Sequence, residues 1–356
     1  MNVSNFEKPV NGQKNIEGIQ YLRGLAALMV VFHHSRNSFG GEQLLPGFGF
    51  TGVDIFFVIS GFVMAYTTQS LDPNYSLKGR LLYSYEFIRK RLIRIVPLYY
   101  FCIVWVSRKE LFKGVIPNDL LKDLLFFPHV NSQYPAKVAP IVIQGWTLNY
   151  EMLFYILFGL GLILGKIRTF FVITALSIFV VVGLFLNNEG LIAKDVVLDF
   201  YTRDIILEFG LGILAQKILF KWNLFQFSRS VWLVIALFGF ILLYKLSNIQ
   251  NPRIILSGIP AFIIVVSITR ASVDFKSYLL KLLGDSSYSI YLFHLSSFGA
   301  IKPLQKLLES SANDDKTILL LVFASISVSV ISGVIIHVFI EKPVLKRLRS
   351  IGKIAV

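Results

Sequence analysis

IQYLRGLAALMVVFHHSR, residues 19 to 36, is an apolar run that carries a cation, Arg23, near one end and an imidazole, His34, near the other. At about 100° per residue, a spacing of eleven returns both groups to one stripe of a helix, separated by roughly 16 Å of rise. The run reads as a membrane-crossing helix, which needs about 20 predominantly apolar residues. Ionisable groups inside such a segment cost about 3 kcal/mol each, so they face the protein interior and usually serve a function there. The competing reading is local: Arg23 snorkels to one membrane interface and His34 merely sits near the other. His33 points about 100° away from His34 and is expected to face a neighbouring helix.

Composition agrees with a membrane protein. Of the 356 residues 55% are hydrophobic and 32 are Phe, and the mean hydropathy of +0.66 lies far from that of a soluble domain. Ten stretches read as spans: 19–37, 50–69, 92–107, 145–165, 168–187, 200–219, 230–247, 253–269, 284–301 and 317–340. The expected fold is all-α, a polytopic bundle of about ten transmembrane helices forming one domain over residues 1–356. The first span lacks a small-residue cleavage site and reads as an uncleaved signal anchor.

An even number of spans puts both termini on one side. The connections on that side hold the larger share of the 35 Lys and Arg, which makes it the cytoplasm by the positive-inside tendency. Residues 1–18 and the basic tail 341–356 are then cytoplasmic. The longest polar connections, 70–91 and 108–144, are where substrate-gating elements are expected. The net charge of +14 is spread between spans rather than over one soluble face, so it suits anionic lipid headgroups and an anionic cytoplasmic substrate, not nucleic acid. The one cysteine, Cys102, reads as a small apolar filler. His129 and His337 lack partners at ligand spacing, and no metal site is expected.

Four further strings concentrate the polar residues: GFTGVDIFFVISGFVM at 49 to 64, FIRKRLIRIVPLYY at 87 to 100, GWTLNYEMLFY at 145 to 155 and GDSSYSIYLFHL at 284 to 295. In the second, Arg91 and Arg94 lie one turn apart on an amphipathic helix that runs into the third span, and Pro97 is expected to bend or open it. A positive-inside anchor without a ligand is the alternative there. Glu151 opens the fourth span, where a helix dipole alone would favour a carboxylate. Asp54 opens the second, where a capping role or a salt bridge to a loop would account for it. Tyr288, Tyr291 and His294 fall along one side of the ninth span. Arg203, Asp204 and Glu208 form a charged start to the sixth, expected to pair among themselves or, alternatively, to contact a ligand.

In this order the strings resemble the acyltransferase-3 family of integral membrane acyltransferases, and most closely its exopolysaccharide-modifying, ExoZ-like branch. The resemblance spans nearly the whole chain. It implies a bacterial inner-membrane enzyme that moves an acyl group, acetyl foremost, from acyl-CoA to a hydroxyl of an exopolysaccharide, O-antigen or lipid-linked glycan. No permanently bound cofactor is implied. Arg91 and Arg94 would hold the phosphates of acyl-CoA, since guanidinium offers them a rigid fork. Arg23 would hold a phosphate or brace the CoA channel, and Tyr291 and His294 would wall the acyl or pantetheine path. His34 would be the general base, with Asp54 and Glu151 competing to orient it. Trp146, Tyr150 and Arg203 would contact the acceptor sugar.

Direct attack on the thioester and passage through an acyl-His34 both fit the residues. No Gly-x-Ser-x-Gly string offers an acyl-serine. A transporter or flippase of a lipid-linked saccharide is the rival class, because intramembrane Arg, His and carboxylates also line transport pathways. A nonenzymatic subunit of an export assembly would leave Arg23 and His34 without a purpose.

Overall fold

The structure is a computed structural model that describes residues 17–72, 74–117, 119–131, 138–188, 195–221, 226–249, 251–271, 276–308 and 314–351. Most of the expected cytoplasmic N-terminal segment and the last residues of the tail lie outside this set. Among the described residues the chain is helical throughout, apart from one isolated antiparallel bridge between Val130 and Val138.

The first run forms α1 (Glu17–Ser38), which carries both Arg23 and His34. It is followed by α2 (Gly52–Thr67), α3 (Leu77–Val106), the short α4 (Arg108–Phe112) and α5 (Leu120–Leu124), then α6 (Trp146–Ile163) and α7 (Arg168–Asn188). The second half comprises α8 (Val196–Tyr201), α9 (Leu207–Gln216), α10 (Arg229–Leu246), α11 (Ile259–Arg270), α12 (Tyr278–Asp285), α13 (Ser287–Ser297), α14 (Lys302–Leu307), α15 (Asp315–Ile336) and α16 (Lys342–Ile351).

Each of the ten expected spans coincides with helix. Among the described residues five helical segments are long and apolar enough to cross a membrane: Phe48–Thr67, Ile143–Ile163, Gly165–Asn187, Arg229–Leu246 and Asp315–Ile351. The others are interrupted or charged. The stretch expected at 200–219 is broken where Arg203 separates α8 from a 3₁₀ turn at Asp204–Ile206, so α9 spans only Leu207–Gln216. The stretch at 284–301 likewise divides between α12 and α13 at Ser286. In contrast, α3 passes unbroken through Pro97 for 30 residues, and the opening expected there is absent.

The helices differ in what surrounds them. Two thirds of the apolar window in Phe48–Thr67 is buried, against 17% in Gly165–Asn187 and 22% in Arg229–Leu246. The first is a central helix, whereas α7 and α10 turn Phe170, Phe185, Val234 and Leu237 outward as a lipid-facing surface. The tightest contact in the bundle is between α2 and α9. A Cβ on Gly61 would stand 2.0 Å from the carbonyl oxygen of Phe209, and one on Gly212 would stand 2.1 Å from that of Val58. Backbones meet there because both residues lack side chains, as small residues permit between helices in lipid. Cys102 is fully buried as expected, its thiol 3.5 Å from the Leu292 carbonyl.

Candidate active site

Helices α1, α2, α3, α6 and α13 enclose a cavity of about 140 Å³. Arg23 reaches it from α1, Ser60 from α2, Arg91 and Arg94 from α3, Glu151 and Tyr155 from α6, and Ser287, Tyr288 and Tyr291 from α13. Three guanidinium groups, one from α1 and two from α3, therefore converge on one space.

Their partners differ. Arg94 is bound by Glu341 at 2.5 Å, and that carboxylate also accepts from Ser289 at 2.6 Å and from His337 at 2.8 Å. Glu341 is only 2% exposed and lies on a π-helical turn, His337–Glu341, that joins α15 to α16. Such turns often occur at functional sites because they re-aim side chains within a helix. Among the described residues Arg23 donates to Gln20, at 3.3 Å. Arg91 reaches Thr67 at 3.5 Å and lies over the Phe87 ring, with its Nε buried and unpartnered. Among the described residues neither Arg23 nor Arg91 forms an ion pair. Glu151 faces the same cavity, held by the hydroxyls of Ser60, at 3.3 Å, and Tyr155.

The far end of the site is built from imidazoles. Nδ1 of His34 lies 2.9 Å from the Val30 carbonyl. A carbonyl can only accept, so Nδ1 carries the hydrogen and the neutral ring presents its lone pair at Nε2. The ring packs against His294 with centroids 4.9 Å apart. His294 stands one turn beyond Tyr291 on α13, 6.1 Å from that ring, so ring contacts link the cavity-lining Tyr291 to His34. His33 is occupied at both nitrogens, by the Gly47 carbonyl at 3.2 Å and the Asn37 amide at 3.2 Å. The ring therefore meets the loop at Gly47 rather than the neighbouring helix expected of it.

The carboxylates correct the expectation that Asp54 or Glu151 orients His34. Among the described residues neither is hydrogen-bonded to that ring; the Val30 carbonyl does the orienting. Asp54 is wholly buried and bound in a two-pronged ion pair by Arg253, at 2.8 and 2.9 Å. The burial of the carboxylate demands that partner. Arg253 also lies over the Phe50 ring, and Glu208 is buried beside Asp54 beneath Gly258. Glu151 is drawn instead to the arginine cavity.

The expected acceptor residues separate as well. Trp146 is half-buried and packs edge-on to Tyr150 at 6.0 Å, while Tyr150 is sealed in the core and donates its hydroxyl to the Phe200 carbonyl. Arg203 is exposed and paired with Asp199 at 2.5 Å, away from the cavity. Asp204 accepts from the Ile254 backbone amide, so the expected pairing within Arg203, Asp204 and Glu208 does not form. Tyr291 lines the cavity, where its hydroxyl meets Thr147 at 2.9 Å and the Gln144 carbonyl at 3.0 Å.

Sequence reasoning missed Glu341 and Arg253. Each is an ionisable residue at the edge of an apolar run, which is the signal that singled out Glu151 and Asp54.

Comparison with known proteins gives this geometry a context. The chain is 29% identical over 313 residues to the exopolysaccharide production protein ExoZ of Rhizobium meliloti (strain 1021), covering 85% of this chain and 91% of that one. It is 27% identical over 326 residues to the O-acetyltransferase OatA of Staphylococcus aureus (strain NCTC 8325 / PS 47), covering 78% of this chain. The match spans only half the length of OatA. No solved structure matches. Residues 16–338 match the acyltransferase domain that defines the acyltransferase-3 family, which accounts for α1 through the start of the π-helical turn. The convergence of Arg23, Arg91 and Arg94 on one cavity is thus set in a chain that belongs to the acyltransferase-3 family and resembles its ExoZ-like branch.

Proposed function

We propose that this integral membrane acyltransferase moves an acyl group, acetyl foremost, from acyl-CoA to a hydroxyl of a cell-surface polysaccharide or lipid-linked glycan, in the cytoplasmic membrane of a bacterium. The supporting observation is that Arg23 and Arg91, without ion-pair partners among the described residues, converge on a cavity lined by Tyr291, which ring contacts link through His294 to His34. Unpaired buried cations are costly, and an anion that enters the cavity relieves that cost. Phosphate suits them because guanidinium binds it through a planar fork.

In this reading the donor enters from the cytoplasmic side, where the termini lie, and its phosphates rest on Arg91, Arg94 and Arg23. The pantetheine arm extends past Tyr288 and Tyr291 towards His34. Nε2 of His34 takes the proton of the acceptor hydroxyl as its oxygen attacks the thioester carbonyl. The carbon–sulfur bond breaks, the ester forms, and the thiolate leaves as free CoA with the proton that His34 held. A base of this kind contributes on the order of 10² to 10⁴ in rate. The alternative order, in which His34 first carries the acyl group, uses the same atoms.

The test is thiol release and label transfer from radiolabelled acetyl-CoA by purified protein in nanodiscs. Release of thiol by the wild type and its loss in His34→Ala supports the reading. Saccharide movement without any CoA turnover contradicts it. Label that stays on the protein when acceptor is withheld identifies the acyl-histidine route, and its absence from trapped samples excludes that route.

A further inference from the structure

His294 is wholly buried, yet its Nε2 has no hydrogen-bond partner among the described residues. Its Nδ1 is 2.6 Å from the Tyr291 carbonyl and therefore carries the hydrogen, so Nε2 holds a bare lone pair. His34 is in the same state, with Nδ1 donating to Val30. Each ring is tied back to its own helix through Nδ1. The ring centroids are 4.9 Å apart and no hydrogen bond joins them. Two neutral acceptors side by side cannot satisfy each other. A buried acceptor is ordinarily satisfied, and one that is not calls for a donor brought from outside.

We infer that the pair receives two donors on one ligand. The acceptor substrate is a vicinal diol, such as adjacent ring hydroxyls of a pyranose: one hydroxyl donates to His34 and is acylated, and its neighbour donates to His294. His294 is then a substrate-binding residue of the reaction, not a wall of the donor path. This deepens the acyltransferase reading above and rests on it.

The test uses acetyl-CoA with trans-1,2-cyclohexanediol or cyclohexanol as minimal acceptors, in nanodiscs free of glycoside detergent, with ester formation read by mass spectrometry and thiol release measured in parallel without acceptor. The wild type is expected to favour the diol by at least about tenfold in kcat/KM, because a site built to bind a hydroxyl rejects the analogue that lacks it. His294→Ala should reduce that preference to about one, and His294→Gln, which keeps an acceptor atom, should restore part of it. Equal use of both alcohols by the wild type, unaltered preference in His294→Ala, or acylation of neither alcohol alongside intact thiol release would each overturn the inference. No thiol release by the wild type would overturn the acyl-CoA reading itself, and this inference with it.

Discussion

The molecule holds two groups of buried charge that were built differently. Around Asp54 one ion pair closes on itself, with Glu208 buried beside it: Arg253 covers both Asp54 carboxylate oxygens at 2.8 and 2.9 Å. Around Glu151 the charges stay open, with Arg23 and Arg91 facing a cavity of about 140 Å³ and lacking ion-pair partners among the described residues. A closed pair offsets its own desolvation and serves the fold, whereas an open set is stable only in proportion to what enters it. The Asp54 group should therefore govern stability, and the cavity together with His34 should govern turnover.

The largest effect that can sharpen this contrast is His34→Ala. It should lower transfer by about 10² to 10⁴ with the melting temperature unchanged, since the ring's hydrogen bond is to a carbonyl of its own helix. Next comes Arg253→Met, which strands Asp54 in the interior. A loss of about 3 kcal/mol is expected, read as a lowered melting temperature, while the donor KM of the folded fraction stays constant. The double variant Asp54→Asn, Arg253→Gln should recover most of that loss. A change in donor KM in either variant would erase the distinction between the two groups.

Arg91→Ala should do the reverse, raising the donor KM by about tenfold, or about 1.4 kcal/mol, without lowering the melting temperature. The smallest effect lies outside the spans. Burial pushes the carboxyl of Asp123 up to about 6, against hydrogen bonding from the Ile141 amide and the nearby His129. A raised carboxyl pKa favours the protonated folded form, so its contribution is fully present below pH 3.8, the ordinary value, and is lost as pH rises through about 6. Asp123→Asn should flatten that dependence in the 108–144 connection, measured by hydrogen exchange or limited proteolysis from pH 4 to 7. An equal pH dependence in the variant would remove Asp123 as its source.

Much of this was legible in the chain. The eleven-residue spacing of Arg23 and His34 fixed one helix face, and the apolar runs located the helices, because both follow from local periodicity. Arg91, Arg94 and Glu151 were legible as candidates, but their meeting in one cavity was not, since it depends on how α1, α3 and α6 cross. The pairing of Asp54 with Arg253, 199 residues away, is a tertiary choice that no spacing encodes. Asp54 looked like a partner for His34 because both sit at neighbouring helix ends; the nearer cation captured it. His294 was assigned to the donor path for a similar reason: its place on the Tyr288–Tyr291 stripe was visible, but its contact with α1 was not.

The most direct test of the central claim is a titration of acetyl-CoA against thiol release in nanodiscs for the wild type, Arg91→Ala and His34→Ala. The account predicts a split: Arg91→Ala raises KM and largely keeps kcat, and His34→Ala collapses kcat while acetyl-CoA still binds with wild-type affinity. If both variants lower the same parameter, or neither changes turnover, the division between an arginine-lined donor cavity and a histidine reaction centre is wrong.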